Sequence, residues 1–212
     1  MRKDLTEISA GCRESLTFLL FFCAIAIYAQ SEYTPELIKN FSFEEEPKPI
    51  RNRRFGPNGE GELFGGYLSA DVILGWFVSD ESEKISKAEI VTENLADPAQ
   101  SKALRWEITE GPATLVNAGN KGISAVKGRQ YVLTFWARAD KKYKGKLQVG
   151  LQDKRGNTWY AQTTMKGKIK KRWKKYTITF IAEGDNPKAR FAMKADKAGT
   201  IYLDCVSLKI SK

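Results

Sequence analysis

Alternating apolar and polar side chains over Tyr131–Ala139 constrain the fold of this chain more than any other feature. Every second residue of this run is apolar, which predicts a β-strand with one buried face. Lys146–Gln152 repeats the pattern. The other face of the two strands carries Trp, Arg and Gln rather than Lys and Glu. A surface of that composition is typical of sugar binding, because planar polar groups and an aromatic ring suit hydroxyls and apolar C–H faces.

Similar alternating runs recur at intervals of about ten to fifteen residues from Lys87 onward, and turns that contain Gly, Asn and Pro separate them. Phe41 and Phe43 are spaced as neighbours on one face of an earlier strand. The remaining predicted strands are Val72–Val78, Ala88–Glu93, Ala103–Thr109, Ala113–Ala118, Ile123–Val126, Asn157–Thr164, Lys174–Ala182, Ala189–Ala195 and Thr200–Lys209. About ten strands without helical periodicity predict an all-β jelly-roll β-sandwich of two antiparallel sheets.

The first 29 residues have the composition of a signal peptide. Basic residues precede an apolar run, Leu16–Tyr28, which at about 13 residues is too short to span a bilayer. Cleavage after Ala29 would leave residues 30–212 as one exported domain, periplasmic, on the cell surface or secreted. An uncleaved membrane anchor is the alternative. Residues 45–66 are rich in Pro, Arg and Gly, which indicates an irregular insertion in that domain.

The composition limits which metal sites and catalytic groups this chain can contain. The 212 residues have a net charge of +10, no His and three Cys. Two of the cysteines, Cys12 and Cys23, fall in the predicted signal peptide, which leaves Cys205 alone. Zinc sites, copper sites and His-dependent catalytic triads are therefore not expected. The chain is long enough to bury a sizeable core without a disulfide.

Several segments resemble the CenC-type carbohydrate-binding modules of families four, nine and twenty-two. The matching segments are Glu36–Glu44, Gly75-Trp76, Val116–Ile123, Gly128–Arg138, Trp173–Tyr176 and Ile201–Leu208. The piece around Asn117 is most similar to the N-terminal module of exported family fifty-one α-L-arabinofuranosidases. The chain departs from the family pattern at Phe41, where a Gly is usual, and at Cys205, where an Asp is usual. The resemblance implies a galactose-binding-like jelly roll.

The resemblance also implies that the central strands pair in one sheet and share an outer face. That face would present Arg105, Glu107, Thr134, Trp136, Arg138, Gln148, Gln152, Arg190 and Lys194. Trp136 would be the platform for a sugar ring, with Arg138 and Gln152 as hydrogen-bonding partners. Trp159 is favoured over Tyr160 as a second aromatic contact, and Asn117 is a further candidate. The alternative places Trp136 in the core beneath residues 45–66.

A structural calcium ion is a further expectation. In the modules that this chain resembles, the positions of Glu44 and Asp204 help to bind calcium at the edge of the sandwich. Calcium prefers several hard oxygen ligands, which two carboxylates from the terminal strands would begin to supply. The alternative is a pair of ordinary surface acids near Lys39 or Lys209.

The basic segment Lys166–Lys175 is interpreted as a solvated loop, with attraction to an acidic polysaccharide or an anionic cell surface as an alternative. Export argues against nucleic-acid binding, and no stable membrane insertion is expected after signal cleavage. Glu107 is the only carboxylate on the predicted face, whereas a glycosidase needs two.

The expected function is therefore non-catalytic binding of a plant-type polysaccharide of the xylan, arabinoxylan or β-glucan class. The domain would serve an attached or partner glycoside hydrolase. Two alternatives stay open: an accessory module or fragment of an α-L-arabinofuranosidase that binds no sugar itself, and a cationic surface-adhesion domain.

Overall fold

The computed structural model describes residues 34–45, 73–96, 99–119 and 122–211. The predicted signal peptide and most of the predicted insertion, residues 46–66, lie outside the described residues. The strands are β1 (Trp76–Val78), β2 (Ser86–Val91), β3 (Ala103–Ile108), β4 (Ala113–Asn117), β5 (Ile123–Ala125), β6 (Gln130–Ala139), β7 (Leu147–Gln152), β8 (Trp159–Thr164), β9 (Lys174–Ile181), β10 (Asn186–Ala195) and β11 (Gly199–Ile210). A short 3-10 helix spans Asp80–Ser82.

The strands form two antiparallel sheets. The first sheet has the order β1-β4-β10-β7-β8, with β5 also paired to β10, and the second has the order β2-β3-β11-β6-β9. The prediction of an all-β jelly-roll sandwich is confirmed. No helix in the described part of the chain is long and apolar enough to cross a membrane.

The alternating residues of both sheets meet in one core. Trp106 on β3, Phe135 on β6 and Phe191 on β10 have no exposed surface. Phe135 stacks on Tyr176 of β9, with ring centroids 5.4 Å apart, and Tyr131 stacks on Phe180 of the same strand at 5.7 Å. Apolar burial of this extent is the main favourable term in folding.

The connection between β6 and β7 crosses from the second sheet to the first. Asp140 opens this connection, and its Oδ1 accepts hydrogen bonds from the amides of Lys142 (3.0 Å) and Tyr143 (2.8 Å). The buried Tyr143 hydroxyl donates to the carbonyl of Lys146 at 2.8 Å. Burial raises the pKa of Tyr143, and the charge of Asp196 adds to this effect. The crossover is therefore held by its own polar side chains.

Asp140 should make stability depend on pH. Burial raises the pKa of this carboxyl, but hydrogen bonds from the Tyr143, Thr200 and Lys142 amides outweigh burial and lower it below its usual value of 3.8. The stabilisation is thus present at neutral pH and is lost as pH falls through the folded-state pKa. We expect Asp140→Asn to lower the free energy of unfolding by about 1 kcal/mol at pH 7. Urea unfolding at pH 7 and at about pH 2.5 tests this, and an equal deficit at both pH values would contradict it.

The N-terminal segment, residues 35–45, differs from its prediction. Phe41 and Phe43 do not belong to a strand, because Asn40 (φ 50°) and Phe43 (φ 64°) adopt left-handed conformations that break the extended backbone. The Phe43 side chain is buried, whereas Phe41 is 44% exposed. Two backbone hydrogen bonds still attach the segment to β11: the Leu37 amide to the Leu208 carbonyl, and the Val206 amide to the Phe41 carbonyl.

Candidate functional site

The predicted site residues lie on two opposite faces of the sandwich. Arg105, Glu107, Thr134, Trp136 and Arg138 belong to β3 and β6 of the second sheet. Gln148, Gln152, Trp159, Arg190 and Lys194 belong to β7, β8 and β10 of the first sheet. The prediction of one shared face is therefore wrong. Alternation assigned each side chain correctly to the outside of its strand, but β6 pairs with β9 and β11, not with β7.

The outer side of the first sheet is rich in amides, and we call it the glutamine face. It consists of Gln148, Gln152, Trp159, Gln162, Arg190 and Lys194. The strand register places these residues in rows: Lys194 is opposite Gln148, and Arg190 is opposite Gln152. On the other side of β7, Gln152 is opposite Trp159, and Gly150 is opposite Gln162. Directly opposite side chains share a face at close range, so these groups form one surface.

Two buried polar atoms of the glutamine face have no hydrogen-bond partner among the described residues. They are Oε1 of Gln152 and Nε of Arg190. Gly156, in the turn between β7 and β8, lies over both residues, because a Cβ added there would be 2.5 Å from Arg190 Nη2 and 3.6 Å from Gln152 Oε1. An unmade hydrogen bond at a buried group costs about 1–3 kcal/mol. Because Gln152 is only 3% exposed beneath this turn, ordered water can satisfy these atoms in place, whereas a ligand can do so only if the turn moves.

The charge of Arg190 is partly desolvated. Burial lowers the pKa of its guanidinium, and the carboxylates of Asp153, Asp80 and Glu81 oppose that shift. The last two belong to the 3-10 helix, whose charges therefore act on the glutamine face. Arg190 stays charged at neutral pH, because the ordinary pKa of an arginine lies far above neutrality. It can donate charge-assisted hydrogen bonds to hydroxyls.

A β-bulge in β8 orients the aromatic residue of this face. The pairing of β7 with β8 shifts between Leu151 and Gln152, so that Trp159 is opposite Gln152 and Tyr160 is the extra residue. Trp159 is half-buried at the surface, and Tyr160 packs against the core. Bulges commonly redirect one side chain in this way. Next to Trp159 on this face, Nε2 of Gln148 donates to Oε1 of Gln162 at 2.5 Å.

Asn117 has an internal position. Its side chain has no exposed surface. Oδ1 accepts hydrogen bonds from the amides of Lys39 (3.2 Å) and Gly119 (2.9 Å), and Nδ2 donates to the Lys39 carbonyl at 2.8 Å. Asn117 therefore attaches residues 35–45 to β4, and its side chain is not available at the surface.

On the second sheet, Arg105 is occupied by neighbouring acids. Its Nη1 pairs with Glu89 of β2, and its Nη2 pairs with Glu107 at 2.6 Å. The hydrogen bond to Glu89 is the main reason why the pKa of Arg105 is raised. Trp136 is half-buried beside this cluster, with Lys175 and Asp204 opposite it in the register. Thr134 is opposite Ser207 and Thr177.

Beside that cluster lies an open groove of ≈ 410 Å³, which we call the arginine groove; it is lined by Asn94, Leu95, Arg138, Arg172 and Trp173. The Arg138 guanidinium carbon is 3.5 Å from the ring centroid of Tyr202 and 5.4 Å from that of Trp173. Trp173 donates a hydrogen bond from Nε1 to the Asn94 carbonyl. Sequence analysis missed Tyr202, although its outward position between two buried residues of β11 was a usable signal.

The predicted metal pair is close enough for the charge of Glu44 to act on Asp204, which lies in the middle of β11 where the pairing with β6 shifts register. Glu44 accepts hydrogen bonds from the amides of Ser101 (2.8 Å) and Lys102 (2.9 Å) and from the Ser101 hydroxyl. Asp204 has no exposed surface, and within the described residues its carboxylate oxygens meet the Cys205 thiol and amide and the Ala96 amide without good hydrogen-bond geometry. Burial raises the pKa of Asp204 despite the nearby Cys205 and Ala96 amides, and the Glu44 charge raises it further. The described residues contain no cluster of three or more His, Cys, Asp or Glu.

Comparison with protein families gives one match over most of the chain. A family model described as a carbohydrate-binding domain matches residues 35–199. Among curated proteins, an extracellular exo-α-L-arabinofuranosidase of Streptomyces chartreusis is 27% identical over 190 residues. That match covers 89% of this chain and 19% of the relative, so the chain spans about a fifth of that enzyme's length.

Solved structures show the same fold. An arabinose-bound family 51 α-L-arabinofuranosidase matches with a TM-score of 0.64 and 16% identity, over 86% of this chain and 27% of that one. A Bacteroides thetaiotaomicron protein with a proposed sugar-binding role matches with a TM-score of 0.51 and 18% identity, over 84% of this chain and all of that one. At these identities the likeness extends to the fold alone.

Proposed function

Because the chain belongs to the carbohydrate-binding domain family, we propose that its glutamine face binds a plant-type polysaccharide of the xylan, arabinoxylan or β-glucan class. The observation that supports this site most is the surface row of amides and guanidinium, with Gln148 bonded to Gln162 and Gln152 opposite Arg190, beside the half-buried Trp159. Sugar hydroxyls both donate and accept, so they can satisfy an amide oxygen and a guanidinium nitrogen together. The ring of Trp159 supplies an apolar platform for the C–H face of a sugar.

The proposed role is to hold substrate near an exported glycoside hydrolase, attached or separate, without cleaving it. The curated relative is an extracellular arabinofuranosidase, of whose length this chain covers 19%. Tethering raises the effective concentration of substrate at an enzyme and requires no catalytic group. Asp153, an acid beside the glutamine face, accepts a hydrogen bond from the Thr158 amide at 3.0 Å, which supports a structural role in the β7–β8 turn.

Trp136 and Trp159, which are half-buried on opposite sheets, provide a matched test of this site. We expect Trp159→Ala to weaken binding to the responsive glycan about tenfold or more, because the ring platform is lost. Trp136→Ala removes the same side chain from the opposite sheet and should leave affinity unchanged. Affinity electrophoresis against xylan, arabinoxylan, β-glucan and pectin measures both. Retardation that survives Trp159→Ala but not Trp136→Ala would place binding on the second sheet, and retardation by no glycan would refute the proposal.

We also propose a structural calcium ion at Glu44 and Asp204. The buried Asp204 carboxylate, whose contacts with Cys205 and Ala96 are not well-formed hydrogen bonds, fits a hard cation, and the cation would remove the repulsion between the two carboxylates. Glu44 already accepts three hydrogen bonds, so Asp204 would be the main ligand and backbone carbonyls would supply the rest.

Calcium should therefore stabilise the fold. At 100 times its Kd, a ligand that binds only the folded state adds about 2.7 kcal/mol to the free energy of unfolding. We expect a chelator to lower the melting temperature of the wild type, and Asp204→Asn to remove the response to calcium. A melting temperature that does not change with chelator or added calcium would reject the site.

A further inference from the structure

We propose that the arginine groove binds the carboxylate of an acidic sugar, a uronate unit of a polysaccharide, separately from the glutamine face. The proposal deepens the proposed function and rests on it for the class of ligand. The chemistry of the two faces differs: the glutamine face offers three amides beside Lys194 and an Arg190 whose charge Asp153, Asp80 and Glu81 offset, whereas the arginine groove is lined by two guanidinium groups. Neutral amides suit hydroxyls, and planar guanidinium forks suit carboxylates.

Neither arginine of the groove has a counterion within the described residues. The ion pairs found there involve Lys87, Glu89, Arg105 and Glu107, and neither Arg138 nor Arg172 takes part in one. Nε of Arg138 is buried, and the part of the chain that the structure describes offers it no hydrogen-bond partner. A partly buried cation without a counterion is costly, and an anion bound in the groove would reduce that cost through its charge.

Arg138 is oriented before any ligand arrives. Its guanidinium lies 3.5 Å from the centroid of the Tyr202 ring, and Tyr202 is opposite it in the register of β6 with β11. The ring centroid of Trp173 is 5.4 Å from the Arg138 guanidinium carbon, and Trp173 is held by its hydrogen bond to the Asn94 carbonyl. Stacking uses the faces of the guanidinium and leaves its in-plane N–H groups for a bidentate carboxylate.

The surroundings favour a sugar rather than a small inorganic anion. The groove has a volume of ≈ 410 Å³, within the range of small-molecule sites, and Leu95 and Trp173 give it an apolar lining. Arg172 and Trp173 are flanked in the sequence by four exposed lysines, Lys170, Lys171, Lys174 and Lys175. Their positive charge increases the attraction for an acidic polysaccharide.

The test compares glucuronoxylan with the same polymer after carboxyl reduction, which converts its uronates to neutral sugars. Titration calorimetry with the 212-residue chain should give about tenfold tighter binding of the native polymer at low salt. Arg138→Gln and Arg172→Ala should each remove most of that difference. Arg172 is exposed, so its replacement tests the groove without a threat to folding. Equal affinity for the two polymers would overturn the proposal.

Two further variants separate this proposal from its alternatives. Arg138→Lys keeps the charge but removes the planar fork, so it should also lose the preference for uronate; a preference that survives would indicate charge attraction alone and would overturn the proposal. The Trp159→Ala variant should no longer bind the carboxyl-reduced polymer, but it should still bind the native polymer through the arginine groove. If both polymers bind equally and Trp159→Ala loses both, the arginine groove is refuted and the glutamine face stands. If only the native polymer binds, and Arg138→Gln abolishes that binding, the glutamine face is refuted and the arginine groove stands.

Discussion

Trp76→Ala is expected to lower the free energy of unfolding by about 3–5 kcal/mol, the usual cost of removing a large buried aromatic side chain. Trp76 is only 3% exposed. Its ring lies 5.4 Å from that of Phe43 and 6.2 Å, edge-on, from that of Phe191, and its Nε1 donates to the Asn40 carbonyl at 3.1 Å. One side chain therefore connects β1, β10 and the N-terminal segment, and all three lose packing together.

Urea unfolding monitored by far-ultraviolet circular dichroism would measure this loss. Trp76→Phe is the matched variant, because it keeps an aromatic ring and loses the hydrogen bond; its cost should be smaller, about 1–2 kcal/mol. Trp159→Ala removes a half-exposed tryptophan and serves as the surface control. A loss below about 1 kcal/mol for Trp76→Ala would mean that the N-terminal segment contributes little to the core.

Alternation in the sequence was sufficient to predict the fold class and the facing of most side chains. The β6 pattern predicted from Tyr131 matches the observed strand Gln130–Ala139, and its apolar residues are those that the core buries. This success has a simple cause, because period two is a local property of each strand. The partner of each strand is not local. Nothing in the composition of residues 140–146 indicated that the chain there passes to the other sheet.

The candidate site was predicted in its chemistry but not in its arrangement. Gln148, Gln152 and Trp159 were identified from the sequence, and the structure places them on one face. Arg138 was grouped with them, but its neighbours are Tyr202 and Trp173. The prediction for Asn117 failed for a different reason. Its amide precedes a turn that looked exposed in the sequence, but in the structure it forms internal hydrogen bonds with the backbone of Lys39. Sequence alone does not distinguish an amide that binds ligand from one that binds backbone.

Gly150→Val is expected to lower the free energy of unfolding by about 3 kcal/mol or more, since overpacking against a backbone atom cannot be relieved by a rotamer change. A Cβ at Gly150 would lie 1.9 Å from the Ala161 carbonyl oxygen and 2.8 Å from the Gln162 Cα. Strands β7 and β8 would have to separate at the centre of the glutamine face. The same variant should therefore lose glycan binding, because Gln162 and Trp159 would be displaced relative to Gln152.

Gly167→Ala provides the control for Gly150→Val. Gly167 has φ +86° and no atom within 4 Å of an added Cβ, so alanine there introduces backbone strain of about 1 kcal/mol without a steric clash. Thermal unfolding and affinity electrophoresis on both variants would separate the two effects. If Gly150→Val is as stable as Gly167→Ala, the close approach of β7 to β8 is not required. If it is destabilised but binds glycan with full affinity, the alignment of Gln152 with Trp159 does not contribute to recognition. If Gly150→Val loses both stability and glycan binding, the absence of a side chain at Gly150 is required for the spacing of the ligand-binding groups on this face.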